Sequence, residues 1–287
     1  MMPIDVMRMR NSGPSVAGYL DGLSVHPRLV HSLRRAVSAA TKSIRVRRSS
    51  DNAEQDIGFS ASMPFGALDT SALAAFVGSG SAFVTKFYDQ TGNGWDAVQA
   101  TSSKQPRIVN AGVYDGNLVF DGIDDAMVVT GLPELTPYTG LYTKIKQANA
   151  TTFKIILETG PDGQTTAGAF ALYVFTSNAD WVMAMGNASG GRATRFPMTS
   201  QTALTQITAL YDRNETGTNE TKLYRGGSAL NPTANANNEQ SGNFAPLDLY
   251  IGGRTASSLF ADMWEETLAL YDADTSGIRL SIEALIA

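Results

Sequence analysis

The 287-residue sequence contains no cysteine and only two histidines, His26 and His31. Without cysteine there is no disulfide, no thiolate zinc site and no cysteine nucleophile. Two histidines cannot supply a three-histidine zinc site, and their closeness in sequence argues against a His-based catalytic triad. Long apolar runs are also lacking, since no window approaches the roughly 18 apolar residues that a membrane helix requires. Membrane insertion is therefore not expected.

Charged residues are scarce as well, at 17% of the chain, and acidic residues outnumber basic ones by 27 to 22. The net charge of -5 argues against a partner held by many phosphate contacts, so nucleic acid is not an expected partner. Residues 1–5 lack the apolar core of a signal peptide, which predicts synthesis in the cytosol without export. Apolar residues are abundant, at 43%, and suffice for one large core.

The hydrophobic period changes along the first part of the chain. Residues 1–24 show no regular period and are predicted to form an arm or docking segment. From Pro27 to Ala40 apolar residues recur at helical spacing, which predicts an amphipathic helix packed on the edge of the fold. From Ser43 the period falls to two, because Ile44 and Val46 alternate with arginines, and this alternation predicts a strand.

Short strand-like runs fill most of the remaining chain. An Asp cap at Asp69 predicts a short helix to Phe76, and apolar spacing from Asp274 onward predicts a closing helix. Alternating or β-branched runs predict further strands at residues 82–88, 107–109, 118–120, 127–130, 141–145, 153–158, 170–176, 181–185, 203–211, 221–225, 247–251 and 263–271. Short strands between Gly, Asn and Asp turns indicate an all-β sandwich or barrel.

Two sequence blocks carry a resemblance to a known family. The first, Arg45–Asp51, reads RVRRSSD, and the second, Phe87–Gly94, reads FYDQTGNG. They resemble the start of the family-54 α-L-arabinofuranosidase catalytic domain, in which a similar strand precedes a Tyr-Asp-Gln-Ser-Gly-Asn-Gly turn. The resemblance covers residues 28–287 and implies a concanavalin-like, lectin-type β-sandwich (jelly roll) as one domain over residues 25–287. Similar domains with a Phe-Asp-Gly-x-Asp-Asp element, here Phe120–Asp125, occur in bacteriophage structural proteins.

The chain departs from this family at the catalytic positions. The resemblance implies a nucleophilic Glu in the segment that corresponds to residues 181–187, where Gly186 stands, and Ala184 replaces a substrate-holding Asp. It implies an acid/base Asp directly after a Gly-Gly pair, where Arg254 stands. A retaining glycosidase needs two carboxyl groups, which neither Gly nor Arg provides, so no catalytic residue is assigned. If Arg254 and Asn187 line a pocket, the arginine favours an acidic glycan.

Three acidic residues crowd into one turn. Asp121, Asp124 and Asp125 belong to the segment Asp-Gly-Ile-Asp-Asp. Closely spaced carboxylates with backbone carbonyls bind calcium, so these three are the candidate metal ligands and calcium is the one cofactor considered. The spacing of an EF-hand is absent, and a hairpin turn explains the same residues through left-handed backbone and local hydrogen bonds.

A second polar turn offers Asp89, Gln90 and Asn93 as candidate sugar-binding residues. Asx side chains that hydrogen-bond to nearby backbone explain these residues equally. Glu265 and Glu266 are adjacent on a predicted strand, so their carboxylates face opposite sides and do not form one catalytic pair. The three tryptophans are candidates for stacking on sugar rings, although tryptophans in a large sandwich more often belong to the core.

The sequence leaves three functions open. The leading hypothesis is a non-catalytic bacteriophage virion protein, a tail, fibre or head-decoration component, that contacts host-surface polysaccharide. This hypothesis places the protein in the virion, with the arm of residues 1–24 bound to other virion proteins and with a homo-oligomeric state. The alternatives are a glycoside hydrolase or depolymerase with relocated carboxylates, and a purely architectural virion subunit.

Overall fold

The computed structural model describes residues 17–62, 66–147, 152–175, 180–186, 192–198, 203–235 and 241–287. Within these ranges strand is the predominant regular structure, with two α-helices of eight residues, α1 (Thr70–Val77) and α2 (Arg279–Ile286). Short 3-10 turns lie at Ser102–Lys104, Gly217–Asn219 and Ser276–Ile278.

The strands of the described chain are short and follow one another closely. In chain order they are β1 (Leu29–Ser32), β2 (Ile44–Arg48), β3 (Glu54–Ile57), β4 (Ala82–Phe87), β5 (Ala97–Val98), β6 (Arg107–Asn110), β7 (Val113–Asp121), β8 (Met127–Val129), β9 (Tyr138–Gln147), β10 (Lys154–Thr159), β11 (Phe170–Val174), β12 (Trp181–Met185), β13 (Arg192–Phe196), β14 (Thr205–Asp212), β15 (Thr221–Arg225), β16 (Ser228–Ala229), β17 (Ala234–Asn235), β18 (Leu249–Ile251) and β19 (Asp262–Tyr271).

These strands form two layers in which every ladder between named strands is antiparallel. The first layer runs β3–β2–β4–β6–β7–β19–β9–β14–β15–β16, with β1 beside the second half of β19. The second layer runs β8–β18–β10–β11–β12–β13–β17. β5 pairs with both β4 and β8 and joins the layers along one edge. The predicted all-β sandwich is confirmed.

Large side chains from the two layers meet between them. The Phe170 ring of β11 lies 5.2 Å from the Tyr211 ring of β14 and 5.4 Å from the Phe244 ring, measured between centroids. The buried Tyr211 hydroxyl donates a hydrogen bond of 2.8 Å to the Ala171 carbonyl oxygen, which satisfies its polar group across the interface. Trp181 is fully buried in the same core. The inner faces are thus occupied by packing, and a site must use the outer faces or the loops.

Both helices lie where the sequence predicts helix. The Asp69 carboxylate accepts a 2.9 Å hydrogen bond from the Ala72 backbone N–H, as an N-cap does for α1. Helix α2 buries Ile282 and Ile286 in a second apolar cluster on the outside of the first layer. The Arg34 guanidinium donates to the last carbonyl groups of α2, which places a cation at the negative end of the helix.

The predicted helix over residues 27–40 is wrong. This segment contains strand β1, which pairs antiparallel with β19, so that Leu29 lies opposite Leu270. All four residues of β1 are buried, because Leu29 belongs to the main core and Val30 to the second apolar cluster. A strand covered on both faces shows no alternation of apolar and polar residues, and the helical spacing in this segment is a coincidence.

The part of the predicted arm that the structure describes, residues 17–24, packs on the sandwich. Tyr19 and Leu20 are buried in the second apolar cluster. Their backbone N–H groups donate to the carbonyl oxygens of Arg35 and Ala36 at 3.1 and 2.9 Å. Across the described ranges, neither helix has the length and apolar character needed to cross a membrane.

Candidate functional site

The outer face of β10–β13, on the second layer, carries a carboxylate, a tyrosine and an arginine among small and apolar side chains. Alternate residues of these strands point into the core, so the intervening residues point outward. The registers place them in two rows: Glu158, Ala171, Ala184 and Ala193 form one row, and Ile155, Tyr173, Val182 and Arg195 form the other. The first row pairs one carboxylate with three small side chains and leaves room above the sheet.

The loop of residues 160–169 fills the room above the alanine row. A Cβ built on Gly163 would lie 2.5 Å from the Ala171 Cβ, so only glycine allows the loop to approach the strand this closely. The loop is tied to the end of β12, because the Gly186 N–H donates to the Ala169 carbonyl oxygen at 2.8 Å. The small residues therefore explain why the loop closes over this part of the face.

Beside the loop, Glu158 and Arg254 form an ion pair at the position where the sequence directed attention to Arg254. The Arg254 Nε and Nη2 atoms lie 3.1 Å from Oε1 and Oε2 of Glu158. Its Nη1 atom lies 2.9 Å from the Asp162 carboxylate, and the Gly163 N–H donates to Glu158 Oε2 at 3.2 Å. The planar guanidinium thus binds one carboxylate in a forked geometry and holds a second one beside it.

Burial determines the electrostatics of this ion pair. The Glu158 side chain is fully buried, and burial raises its pKa above the ordinary value. The Arg254 guanidinium and the Gly163 N–H lower the pKa in turn, and burial outweighs them. Glu158 therefore depends on Arg254 for its charged form, and the Arg254 guanidinium binds carboxylates of this chain, those of Glu158 and Asp162.

Gly186, the residue that stands for the hydrolase nucleophile in the resemblance, lies directly beneath the loop. A Cβ built on it would lie 1.9 Å from the Thr166 carbonyl oxygen and 3.2 Å from the Gly163 carbonyl oxygen. No side chain fits there without displacing backbone. Ala184 is fully buried, and Asn187 lies outside the described residues. The structure thus brings Gly186 and Arg254 together around Gly163 and closes the space between them.

Next to this closed region lies a group of rings and cations, named here the aromatic–arginine surface: Phe153, Tyr173, Phe175, Arg195 and Arg254. The Phe153 ring meets the Tyr173 ring edge-on at 4.7 Å and the Phe175 ring at 6.2 Å between centroids. The Arg195 guanidinium carbon lies 4.3 Å from the Phe175 centroid, and that of Arg254 lies 5.6 Å from the Phe153 centroid. Both phenylalanines are partly exposed, so the surface is open to a ligand.

The polar turn at residues 89–94 uses its candidate groups inside the chain. The Asp89 carboxylate accepts hydrogen bonds from the N–H groups of Val30 and Thr91, and the buried Gln90 amide bonds to the Ala36 N–H and to two carbonyl groups. The Asn93 amide donates to a carbonyl oxygen at 2.9 Å. These contacts fasten the segment that contains β1 to the first layer.

The acidic turn brings its three carboxylates together. One oxygen from each of Asp121, Asp124 and Asp125 lies within 4.8 Å of the others, a spacing that a bound metal ion can bridge. Asp121 also accepts from the N–H groups of Ile123 and Asp124 at 2.8 and 3.2 Å, which is the predicted turn geometry. Burial, and next the Asp121 charge, raise the pKa of Asp125 to about 7. Among the described residues no Lys or Arg forms an ion pair with these three carboxylates, although the Lys154 ammonium donates to the Gly122 carbonyl oxygen of the same turn at 3.2 Å.

The glutamates of β19 separate as the alternation predicts. Glu265 is buried, with its pKa raised by burial to about 8, whereas Glu266 pairs with Arg34 and Lys144 at 3.1 Å. Of the tryptophans, Trp181 is in the core, and the other two are partly exposed and contact cations. Neither feature forms a two-carboxylate pocket.

Sequence reasoning missed Glu158, Asp162, Tyr173 and Arg195. A weak signal existed for Glu158, because a lone carboxylate in the apolar run Ile155–Thr159 requires a buried partner. The partner lies 96 residues away in sequence, so no local pattern identifies it. Arg195 belongs to β13, which the alternation of the sequence did not predict.

Comparisons with known proteins give a fold likeness. No protein-family model and no curated protein sequence matches the chain. Among solved structures, a family-54 α-L-arabinofuranosidase soaked with a cyclic sulfate inhibitor matches with a TM-score of 0.59 at 15% identity. A point mutant from that family soaked with 4-nitrophenyl α-L-arabinofuranoside matches with a TM-score of 0.58 at 16% identity. An arabinofuranosidase complexed with arabinofuranosyl-α-1,2-xylobiose matches with a TM-score of 0.53 at 16% identity. Each match covers 91% of this chain and 62% of the other. The chain therefore shares its β-sandwich fold with arabinofuranosidases and spans about three-fifths of their length.

Proposed function

We propose that this chain is a non-catalytic bacteriophage virion protein, a tail, fibre or head-decoration component, whose sandwich contacts polysaccharide on the host surface. The observation that carries the non-catalytic part is the contact at Gly186, where a side chain would lie 1.9 Å from the Thr166 carbonyl oxygen. The fold likeness to enzymes bound to arabinofuranosides supports a glycan as the class of ligand.

The buried carboxylates argue against a hydrolase with relocated acids. A retaining glycosidase needs one carboxylate that attacks the sugar and another that donates a proton, roughly 5 Å apart and open to the substrate. Glu158 is fully buried and both of its oxygens are bound by Arg254, so it cannot reach a sugar ring. Asp162 is partly exposed, but it is also held by the same guanidinium.

The first experiment is a titration of the protein with envelope polysaccharides from candidate hosts, with reducing ends assayed in the same samples. Saturable binding without new reducing ends is the expected result. New reducing ends that disappear in Glu158→Gln or Asp162→Asn would replace the proposal with a hydrolase. A folded protein that binds no polysaccharide and forms a stable oligomer would favour the architectural subunit.

The virion part of the proposal rests on the Phe120–Asp125 element and on the predicted arm. The arm docks on other virion proteins in this proposal, and copies of the chain form a homo-oligomer. Because Tyr19 and Leu20 are buried, deletion of residues 1–16 is a sharper test than deletion of the whole arm. We expect the deleted protein to keep its thermal transition and glycan binding but to be absent from purified particles. Normal incorporation into particles would contradict the docking role.

We also propose calcium as the ligand of the acidic turn. Asp121, Asp124 and Asp125 supply oxygen atoms, which are the donors that calcium prefers. Calorimetric titration with calcium tests this directly, with Asp125→Asn as the variant expected to lose the heat of binding. Heat that persists in Asp125→Asn places the ion elsewhere.

A further inference from the structure

Arg195 differs from the other arginine on the aromatic–arginine surface in its partners. Arg254 is bound by two carboxylates of this chain, Glu158 and Asp162. Within the described part of the chain no carboxylate lies within ion-pair distance of Arg195, whose guanidinium contacts the Phe175 ring instead. A half-buried guanidinium over a ring keeps donors in a fixed plane and gives up little rotamer entropy when it binds an anion.

Tyr173 lies in the same row of outward residues as Arg195. It is opposite Val182 in the ladder, and Val182 is opposite Arg195, so the three residues form one row across adjacent strands. Burial is the main cause that raises the pKa of the Tyr173 hydroxyl; the charges of Arg195 and Arg254 lower it, and those of Asp162 and Glu158 raise it. The phenol therefore stays protonated, so its hydroxyl can donate a hydrogen bond to an anionic group.

We propose that the aromatic–arginine surface binds the carboxylate of an acidic sugar in a surface polysaccharide, a uronic or ulosonic acid residue. In this inference, which rests on the proposed glycan-binding function, Arg195 is the carboxylate-binding residue. Its guanidinium forms two parallel hydrogen bonds with the sugar carboxylate, as Arg254 does with Glu158. The partly exposed rings of Phe153 and Phe175 pack against the C–H face of the sugar.

The arrangement favours an acidic ligand over a neutral one. A neutral sugar offers hydroxyl groups, which gain less from a guanidinium than a carboxylate does, because charge-assisted hydrogen bonds are about twice as strong. On the same surface, the hydrogen-bond donors of the Arg254 guanidinium are bound by carboxylates of this chain, which is the type of group that we expect Arg195 to bind. Inorganic phosphate also suits an arginine fork, so the test separates a sugar carboxylate from a bare anion.

The test compares polymers that differ in their carboxylates. Polygalacturonate, alginate and polysialic acid are the acidic probes, and fully methyl-esterified polygalacturonate is the matched neutral probe. We expect Arg195→Ala to weaken binding of at least one acidic polymer about tenfold or more, the loss typical of a hydrogen bond to a charged group. Arg195→Lys keeps the charge without the fork and should weaken binding by several-fold. Arg225→Ala, an exposed arginine on β15, is the control and should bind like the wild type.

Each outcome bears on a different claim. Equal binding of the esterified and acidic polymers, unchanged in both Arg195 variants, overturns the acidic-sugar inference and leaves the glycan-binding function intact. Binding of neutral host polysaccharide alone also overturns the acidic-sugar inference and leaves the glycan-binding function intact. Failure to bind any polysaccharide overturns both the inference and the glycan-binding function. Displacement of the polymer by inorganic phosphate at equal carboxylate and phosphate concentrations contradicts sugar recognition. Thermal unfolding of each variant identifies a folding defect, and Arg195→Lys remains decisive where Arg195→Ala does not fold.

Discussion

Two clusters of carboxylates on this sandwich differ in one component. Around Glu158 the chain supplies its own cation, Arg254, and a loop closes over the pair. In the acidic turn none of the three carboxylates has an ion pair among the described residues, since Lys154 donates to the Gly122 carbonyl oxygen instead, and the pKa of Asp125 rises to about 7. The two regions thus have opposite needs: the first is complete within the chain, whereas the second gains from an added cation.

This difference indicates how to distinguish a structural carboxylate from a ligand-binding one on a sandwich fold that arabinofuranosidases share. Burial with a partner from the same chain indicates a structural role, even where the carboxylate, here Glu158, binds a residue at a position that a sequence resemblance marks as catalytic. Burial without a partner indicates either a ligand or a cost in stability. Glu265 is a third case, because it is buried in the first layer and only burial shifts its pKa.

The largest effect is expected from removing the internal cation. Arg254→Met leaves the Glu158 charge buried without its partner, which should lower the free energy of unfolding by about 3–5 kcal/mol at pH 7. The double variant Glu158→Gln/Arg254→Met should recover most of this loss, and urea unfolding measures both. Arg225→Met is the exposed control. A double variant as unstable as the single one would show that packing of the arginine, rather than its charge, stabilises the loop.

Glu265→Gln should change stability in the opposite direction and depend on pH. The folded-state pKa of about 8 lies above the unfolded value of 4.5, so the wild type loses stability as pH rises between these values. Near pH 7 the free energy of unfolding of the variant should exceed that of the wild type by about 3 kcal/mol, at 1.36 kcal/mol per pKa unit. Below pH 4.5 the two free energies should be equal. Urea unfolding across this range measures the difference. Glu266→Gln, which loses ion pairs with Arg34 and Lys144, should give no gain.

Supplying a cation to the acidic turn should have a smaller effect. At a calcium concentration ten times the Kd, binding to the folded state alone adds about 1.4 kcal/mol to the free energy of unfolding. The rise in thermal midpoint should vanish in Asp125→Asn and should not be reproduced by the same concentration of sodium. An equal rise in the variant would remove this turn as the site.

The smallest effect concerns an ordinary carboxylate, Asp69, which caps α1. Asp69→Ala removes its hydrogen bond to the Ala72 N–H and should cost about 1 kcal/mol, whereas Asp69→Ser should cost less because serine also caps. Thermal unfolding of the two variants sets the scale against which the buried carboxylates are compared. If Asp69→Ala lowered the free energy of unfolding more than Arg254→Met does, the buried Glu158–Arg254 pair would not be the larger contribution to stability.

The fold could be predicted from the sequence wherever one face of a strand is more polar than the other. In β2, Ile44 and Val46 alternate with arginines, and the predicted strand is present. In β1 both faces are buried, so the alternation that identifies a strand is absent and helical spacing misled. The alternation of apolar and polar residues indicates that one face of a strand is buried, but it does not identify a strand that is buried on both faces.

For the candidate site, the sequence indicated positions but not partners. The resemblance drew attention to Gly186 and Arg254, and the structure places both around Gly163. It could not show that Glu158 binds Arg254, because that contact depends on the pairing of β10 with β18, which brings distant segments together. Arg195 becomes notable only once it is known that no carboxylate of the described chain lies within ion-pair distance of it.

The position of β19 has a consequence for how the protein is made. This strand follows the other described strands in sequence, yet it lies between β9 on one side and β7 and β1 on the other. Until residues 262–271 have left the ribosome, the first layer consists of three separate pieces, β3–β2–β4–β6–β7, β9–β14–β15–β16 and β1, with open strand edges. A nascent chain is therefore vulnerable to aggregation and proteolysis until β19 is translated, and nonsense mutations before Asp262 should yield insoluble or degraded fragments.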